Sequence, residues 1–451
     1  MGHGIGAFLK GILPMLVYGG GIIAFFAALS GKARWTLLFL TVIIPLRNVI
    51  DHIHGYPLGA QIITLLVISL IFGGIFSRDP ADNKISGKPL LNIPAVIFII
   101  YITISLIIGD FTIYGGVNFD IGDSRLQDWK NSCLLPILFW VTFNTIKDKK
   151  WAQRLFWAMC FTMIFMDYYM IKQEYWYSSL ISRDKITATF QYLGPNEVAA
   201  FYNQYTMVLM GVYFFIKEKR KKLFLLALIL INIYCVIFTF SRGAYLGLGF
   251  GMLVLFSFKN RKLLIPLLLL FVFWQHLLPE KSVERIKGTT NEFGQLDDSS
   301  EFRVLIWKQS MAMFQKSPLV GLGYGVFRTL GLILGDTHNI YVKILVEQGL
   351  LGMFVFLFVI FAFIRTGFKL YQKGEDGFAK GLGIGLIACI TTMLVNNFFG
   401  DRWSYFELSA YLWILAGLAS RLIVLDHVVK EEEIKTVSAP IQKKKLRYYD
   451  L

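Results

Sequence analysis

The chain has 451 residues, of which 55% are hydrophobic and only 17% charged, with a mean hydropathy of +0.57. Soluble domains carry about 25% charged residues, so this composition excludes a soluble globular protein. The net charge of +15 does not imply nucleic acid, because Lys and Arg gather in short loops between apolar runs, as membrane topology requires.

Thirteen apolar stretches follow one another, near 12–29, 35–48, 59–77, 91–109, 130–146, 155–172, 196–216, 223–240, 243–258, 263–278, 340–364, 378–398 and 405–425. A helix needs roughly 20 mostly apolar residues to cross a bilayer. The second stretch is short, so twelve full spans and a partial one fit equally well. The expected fold is an all-α polytopic membrane protein of about 12–13 transmembrane helices. Its expected divisions are an N-terminal bundle (1–278), an extracytoplasmic loop (279–339), C-terminal spans (340–425) and a basic tail (426–451). The N-terminus offers only Lys10 before the first apolar run and no small-residue cleavage site, so no cleaved signal peptide is expected. Cys133, Cys160, Cys235 and Cys389 are far apart in or beside apolar runs, which supports neither a disulfide framework nor a zinc site.

Orientation comes from the basic turns. Lys217-Glu218-Lys219-Arg220-Lys221-Lys222, Lys259-Asn260-Arg261-Lys262, Arg365 with Lys369 and Lys373, and the tail's Lys443-Lys444-Lys445 and Arg447 all fall on one side if each run crosses once. That side should be cytoplasmic. Lys147-Asp148-Lys149-Lys150 and the 78–90 loop join them. Loops 49–58, 110–129, 173–195, 279–339 and 399–404, with the 241–243 turn, then lie outside.

The 279–339 loop has its own pattern. Asp298-Ser299-Ser300-Glu301 reads as a capping box. Phe302, Leu305, Ile306, Met313 and Phe314, set among polar residues, predict an amphipathic helix lying over the bundle. Arg303 and Trp307, four apart, share one of its faces. Pro318 ends it, and Gly321, Gly323 and Gly325 predict a flexible turn.

Arg242 is the sharpest chemical signal, since Phe240-Ser241-Arg242-Gly243-Ala244 sets a full charge between two apolar runs. Such a residue usually faces a bundle interior and meets a partner; snorkelling to the interface, or a salt bridge to an outer-loop carboxylate, is the ordinary alternative. Arg183 and Lys185 precede Thr187-Ala188-Thr189-Phe190, and Asn196 follows Pro195 at a helix start; alone, these read as an ordinary polar loop. His338, with Asn339 beside it, stands where a polar loop re-enters the membrane, and imidazole can take a proton near ambient pH. These groups suit transfer of a sugar from a lipid diphosphate. Guanidinium groups neutralise the leaving group, and a histidine base activates the acceptor hydroxyl. Attack opposite the diphosphate inverts the anomeric centre. No acidic cluster stands out as a metal site, so neither metal nor cofactor is expected.

The same residues resemble the O-antigen ligase and polymerase family of bacterial envelope glycosyltransferases. The matching stretches are Ala188-Thr189-Phe190 with Pro195-Asn196, Thr239 to Ala244, Arg303 with Trp307, Pro318 to Gly323, and His338-Asn339 followed by Glu347-Gln348-Gly349. The resemblance implies a GT-C-type multispan fold at the outer face of the cytoplasmic membrane and an undecaprenyl-diphosphate-linked glycan donor. It implies His338 as base, Arg242 as diphosphate binder, and Arg183 or Lys185 as a second phosphate contact. Arg303, Trp307, Asn339 and Asn196 would support them. The acceptor would be lipid A-core for a ligase, or a growing lipid-linked glycan for a polymerase. The first 180 residues match only as a helical bundle, and the Arg47-Asn48-x-x-Asp51-His52 loop finds no counterpart. A transporter should show related halves and midplane polar groups, which this chain lacks; a scaffold would not justify a confined Arg242.

Overall fold

A computed structural model describes residues 2–76, 87–118, 120, 122–177, 186–289, 297–329 and 336–438. Arg183, Lys185, the tail cations Lys443, Lys444, Lys445 and Arg447, and much of the 78–90 loop lie outside the described residues. The described chain is helical, with no strand.

The N-terminal part contains α1 (Gly2–Ala27), α2 (Ala33–Ile43), α3 (Arg47–Ile50), α4 (Ile62–Phe76), α5 (Asn92–Tyr114), α6 (Ser124–Thr145) and α7 (Lys149–Tyr177). Then come α8 (Pro195–Phe215), α9 (Lys219–Ile237), α10 (Arg242–Lys259), α11 (Leu264–Val272) and α12 (Trp274–Leu277). The 279–339 loop holds α13 (Glu280–Lys287), α14 (Asp298–Phe314) and α15 (Val326–Thr329). Three long helices follow, α16 (Ile340–Lys373), α17 (Gly377–Asn396) and α18 (Phe406–Ser438).

Each apolar run of the sequence therefore coincides with helix. Among the described residues, five stretches are long and apolar enough to cross a bilayer: Ile12–Ile43, Asn92–Tyr114, Ile340–Lys373, Gly377–Phe399 and Phe406–His427. The first joins the two N-terminal runs across a kink at Ser30 and Gly31, where Gly31 takes φ +80°. Other runs are diluted by polar residues. In α8, Asn203, Gln204 and Thr206 are fully buried, as the membrane setting demands of polar side chains. The tenth run, 263–278, breaks into the nine-residue α11 and the single turn α12.

α17 is the hub of the bundle, packed on α8, α10 and α16. Glycines make these approaches close, as small residues do between membrane helices. Gly211 of α8 lies against Gly381 and Gly385, and Gly367 of α16 against Gly383. Gly243, Gly247 and Gly251, one turn apart on α10, meet Phe399, Asn396 and Thr392. This stripe fixes where α10 begins, and so where Arg242 stands. An amide hydrogen bond from Asn203 Nδ2 to the Ala244 carbonyl, 2.6 Å, ties the same point to α8.

The loops assigned to the outer side meet at one end of the bundle. Asn48 N donates to the Thr189 carbonyl, Arg402 pairs with Glu197, Arg242 with Asp297, and Asn339 Nδ2 donates to the Phe398 carbonyl. The basic turns meet at the other, where Arg34 pairs with Asp148 and Lys149 with Asp426.

Two local expectations change. The cap of α14 is Asp297, whose Oδ1 accepts from Ser300 N at 2.9 Å, so the box on Asp298 does not form. Gly321, Gly323 and Gly325 are pinned rather than flexible. Their φ values of +75°, +109° and +74° require glycine. Leu322 N and Gly323 N donate to the Val346 and Glu347 carbonyls, which the break in α16 at Gly349 leaves free.

Candidate active site

A cavity of about 850 Å³ runs between α9 and α10 on one side and the α11–α12 segment on the other. Ile233, Ile237, Leu246, Leu270, Phe271 and Trp274 give it apolar walls. At the end where α10 starts, its lining changes to Asn196, Arg242, Arg285, Arg303 and Arg402. Each arrives from a different element: α8, α10, α13, α14 and the loop before α18.

Arg242 opens α10 after Phe240, which is left-handed at φ +53°. Its Nη1 donates to Thr289 Oγ1 at 2.7 Å, and its Nη2 pairs with Asp297 Oδ2 at 2.9 Å. Burial alone would raise the Asp297 carboxyl; the Ser300 and Arg242 hydrogen bonds and Arg242's charge outweigh it and hold it below the usual carboxylate range. Arg402 is buried and ion-paired with Glu197 in the first turn of α8, and its guanidinium lies over Gly400. Arg303 differs from both: among the described residues no carboxylate pairs with it. Burial, then the like charges of Arg242, Arg402 and Arg285, push it below the ordinary guanidinium range against the opposing pull of Asp297.

Among the described residues, four guanidinium groups against the two carboxylates leave a net charge of +2 at the polar end. Holding like charges together in a half-buried place is costly, and a dianion offsets that cost. The N-terminus of α10, whose Arg242, Gly243 and Ala244 line the cavity, adds a dipole that favours an anion. Guanidinium forks match phosphate oxygens in geometry as well as charge. The arrangement can therefore hold a phosphate-bearing headgroup with an apolar tail lying in the slot.

His338 does not line this cavity. It sits on a turn built from Asp336 to Asn339, which Asn339 ties to Phe398, the neighbour of the lining residue Phe399. His338 N donates to Asp336 Oδ1 at 3.1 Å, and Nδ1 stands 3.5 Å from Asp336 Oδ2. A carboxylate behind an imidazole is the usual means of orienting a base. The side chain is half exposed, and its backbone is left-handed at φ +49°, a conformation that costs about 1–3 kcal/mol for a non-glycine residue. Four bonds hold the turn in place. Trp307 Nε1 donates to the Thr337 carbonyl at 3.0 Å, Asn339 Oδ1 accepts from Tyr341 N and Val342 N to cap α16, and Asn339 Nδ2 reaches the Phe398 carbonyl at 3.4 Å. Trp307 and Arg303 are one turn apart on α14, so one helix supports the His338 turn and carries a cavity arginine.

Of the residues predicted from sequence, Arg242, Arg303 and Asn196 converge on the cavity, while Trp307 and Asn339 fix the turn bearing His338. Arg183 and Lys185 are outside the described residues. Sequence reasoning missed Arg285, Arg402, Glu197 and Asp336. Asp401-Arg402 between two long apolar runs carried the same signal that drew attention to Arg242.

Residues 224–357 match a family model described as O-antigen ligase. The matched segment runs from α9 into α16 and contains Arg242, Arg285, Arg303, Trp307, His338 and Asn339. No curated protein matches the chain. The family match supports an O-antigen ligase or polymerase-like enzyme of envelope glycan assembly, and with the membrane-spanning helices it points to a multi-pass protein of the bacterial inner membrane.

Proposed function

With the O-antigen ligase family as premise, we propose that this protein transfers a glycan from undecaprenyl diphosphate to an acceptor hydroxyl at the outer face of the inner membrane, with lipid A-core as acceptor. The observation that carries this reading is the arginine-lined end of an otherwise apolar, helix-walled slot, with an excess of two positive charges. The carrier's first isoprenoid units lie in the slot. Arg242, Arg303, Arg402 and Arg285 take the diphosphate, with Asn196 at its edge; Arg183 or Lys185 adds a second contact.

His338, oriented by Asp336, accepts the proton of the attacking hydroxyl. The acceptor oxygen bonds to the anomeric carbon as the carbon–oxygen bond to the diphosphate breaks, and undecaprenyl diphosphate leaves with that electron pair. Attack opposite the leaving group inverts the centre. The arginines stabilise charge that grows on the leaving oxygen, the role that preorganised cations fill elsewhere, so the reaction needs no metal. The basic turns and the C-terminus face the cytoplasm.

Deleting the gene and resolving surface glycan on a gel tests the assignment. Loss of long glycan from lipid A-core with lipid-linked polymer accumulating supports ligation. Single-repeat products would transfer the same chemistry to a polymerase. His338→Ala and Arg242→Ala should each abolish transfer with the protein still inserted and abundant. Wild-type activity in either variant would remove the mechanism.

A further inference from the structure

The loop at 47–58 takes no part in the cavity, yet it is held with care. Asn48 N donates to the Thr189 carbonyl at 2.8 Å, and Thr189 Oγ1 donates to the Pro45 carbonyl at 2.7 Å. Gln173 Oε1 accepts from Thr187 N and Ala188 N at 3.2 and 2.8 Å. Ala188 and Gln191 are left-handed, at φ +46° and +57°, a strain that persists only where the surroundings impose it.

The result is one compact group of side chains from three distant parts of the chain. Arg47 Nε pairs with Asp51 Oδ1 at 2.7 Å, and Arg47 Nη1 lies 3.8 Å from Glu407 Oε1. The Arg47 guanidinium sits 5.7 Å from the Tyr192 ring centre. The Tyr192 side of the group stays open, since that residue is 55% exposed. His54 Nε2 stands 3.6 Å from the same Asp51 oxygen.

Charge separates this group from the cavity. Here one guanidinium faces two carboxylates, so the group does not favour an anion. It offers carboxylate acceptors, a guanidinium donor fork and an aromatic face, which together suit a neutral, hydroxyl-rich ring with an apolar face. Its position is also informative. Tyr192 stands four residues before Asn196 and Glu407 five residues after Arg402; Asn196 and Arg402 both line the cavity, and Arg402 pairs with Glu197. The group thus adjoins the polar end of the cavity, whose lining residue Phe399 follows Phe398, the acceptor of the bond that holds Asn339 beside His338.

We propose that Arg47, Asp51, Tyr192 and Glu407 form the subsite for the acceptor sugar, whose hydroxyl they present to His338. This rests on the glycosyl-transfer reading above. The test is steady-state transfer by the full chain in nanodiscs, with purified lipid A-core oligosaccharide as the varied acceptor. Tyr192→Ala and Asp51→Asn should raise the acceptor KM at least tenfold and leave the donor KM within twofold. Tyr192→Phe keeps the ring and should stay within threefold of wild type. An acceptor KM unchanged in both variants, or donor and acceptor KM rising together, overturns the subsite alone. Wild-type protein that consumes no lipid-diphosphate donor overturns the transfer reading, and the subsite with it.

Discussion

Asp297 joins the 279–339 loop to the bundle through two contacts, and they can be separated. It caps α14 through Ser300 N and pairs with Arg242, each at 2.9 Å. Asp297→Ala removes both. Loss of an N-cap costs about 1 kcal/mol and loss of a part-exposed ion pair about 0.5 kcal/mol. The total of about 1.5 kcal/mol is roughly a tenfold shift towards the undocked helix, at 1.4 kcal/mol per decade. Asp297→Ser keeps a capping oxygen and loses only the pair, so its shift should be about twofold. Hydrogen exchange of the α14 amides in nanodiscs reads these numbers directly, and donor KM should rise in the same order because α14 carries Arg303. The carboxyl's lowered pKa fixes the pH dependence. Its stabilisation is complete above the ordinary carboxylate value of about 3.9 and disappears as pH falls through the lower folded value. Equal exchange in wild type and Asp297→Ala would refute the latch; equal exchange in the Ser and Ala variants would refute the cap.

Other outcomes follow from packing and charge. A Cβ at Gly251 would meet Thr392 Oγ1 and Met207 Sδ, so Gly251→Leu should cost about 2 kcal/mol through overpacking and lower the thermal midpoint, whereas Gly19→Ala, with open space around it, should not. Lys343 and Asp401 form a mostly buried pair at 2.8 Å, and the Asp401 carboxyl, which burial would raise, is held low by Lys343. Lys343→Met should therefore cost about 3–5 kcal/mol by leaving that carboxylate unpaired, and adding Asp401→Asn should recover more than half, as measured in a double-mutant cycle. EDTA should leave transfer by purified protein unchanged; Mg²⁺-reversible inhibition would show a metal site.

Helix positions were legible because apolar runs of bilayer length have few other solutions. The break at Phe273 was not, because a purely apolar run carries no signal for how far it stays helical. Arg242 and Arg303 could be found because each stands out against its own neighbours. Arg402 could not be placed, because its partner Glu197 lies 205 residues away and no local pattern links them. Asp336 carries no signal of its own in the sequence; only the left-handed turn at His338 brings it behind the imidazole. The Arg47–Asp51 loop looked unexplained in sequence because its companions, Tyr192 and Glu407, come from elsewhere.

The shortness of α11 has a mechanical consequence for the lipid around it. Nine residues rise only about 14 Å, against a hydrocarbon thickness of about 30 Å, and most of this helix faces outward. Acyl chains beside it must shorten or tilt to match. A bilayer around the chain should therefore thin along the wall of the slot, and the lipid-linked donor proposed above would meet the arginines at a shallower depth.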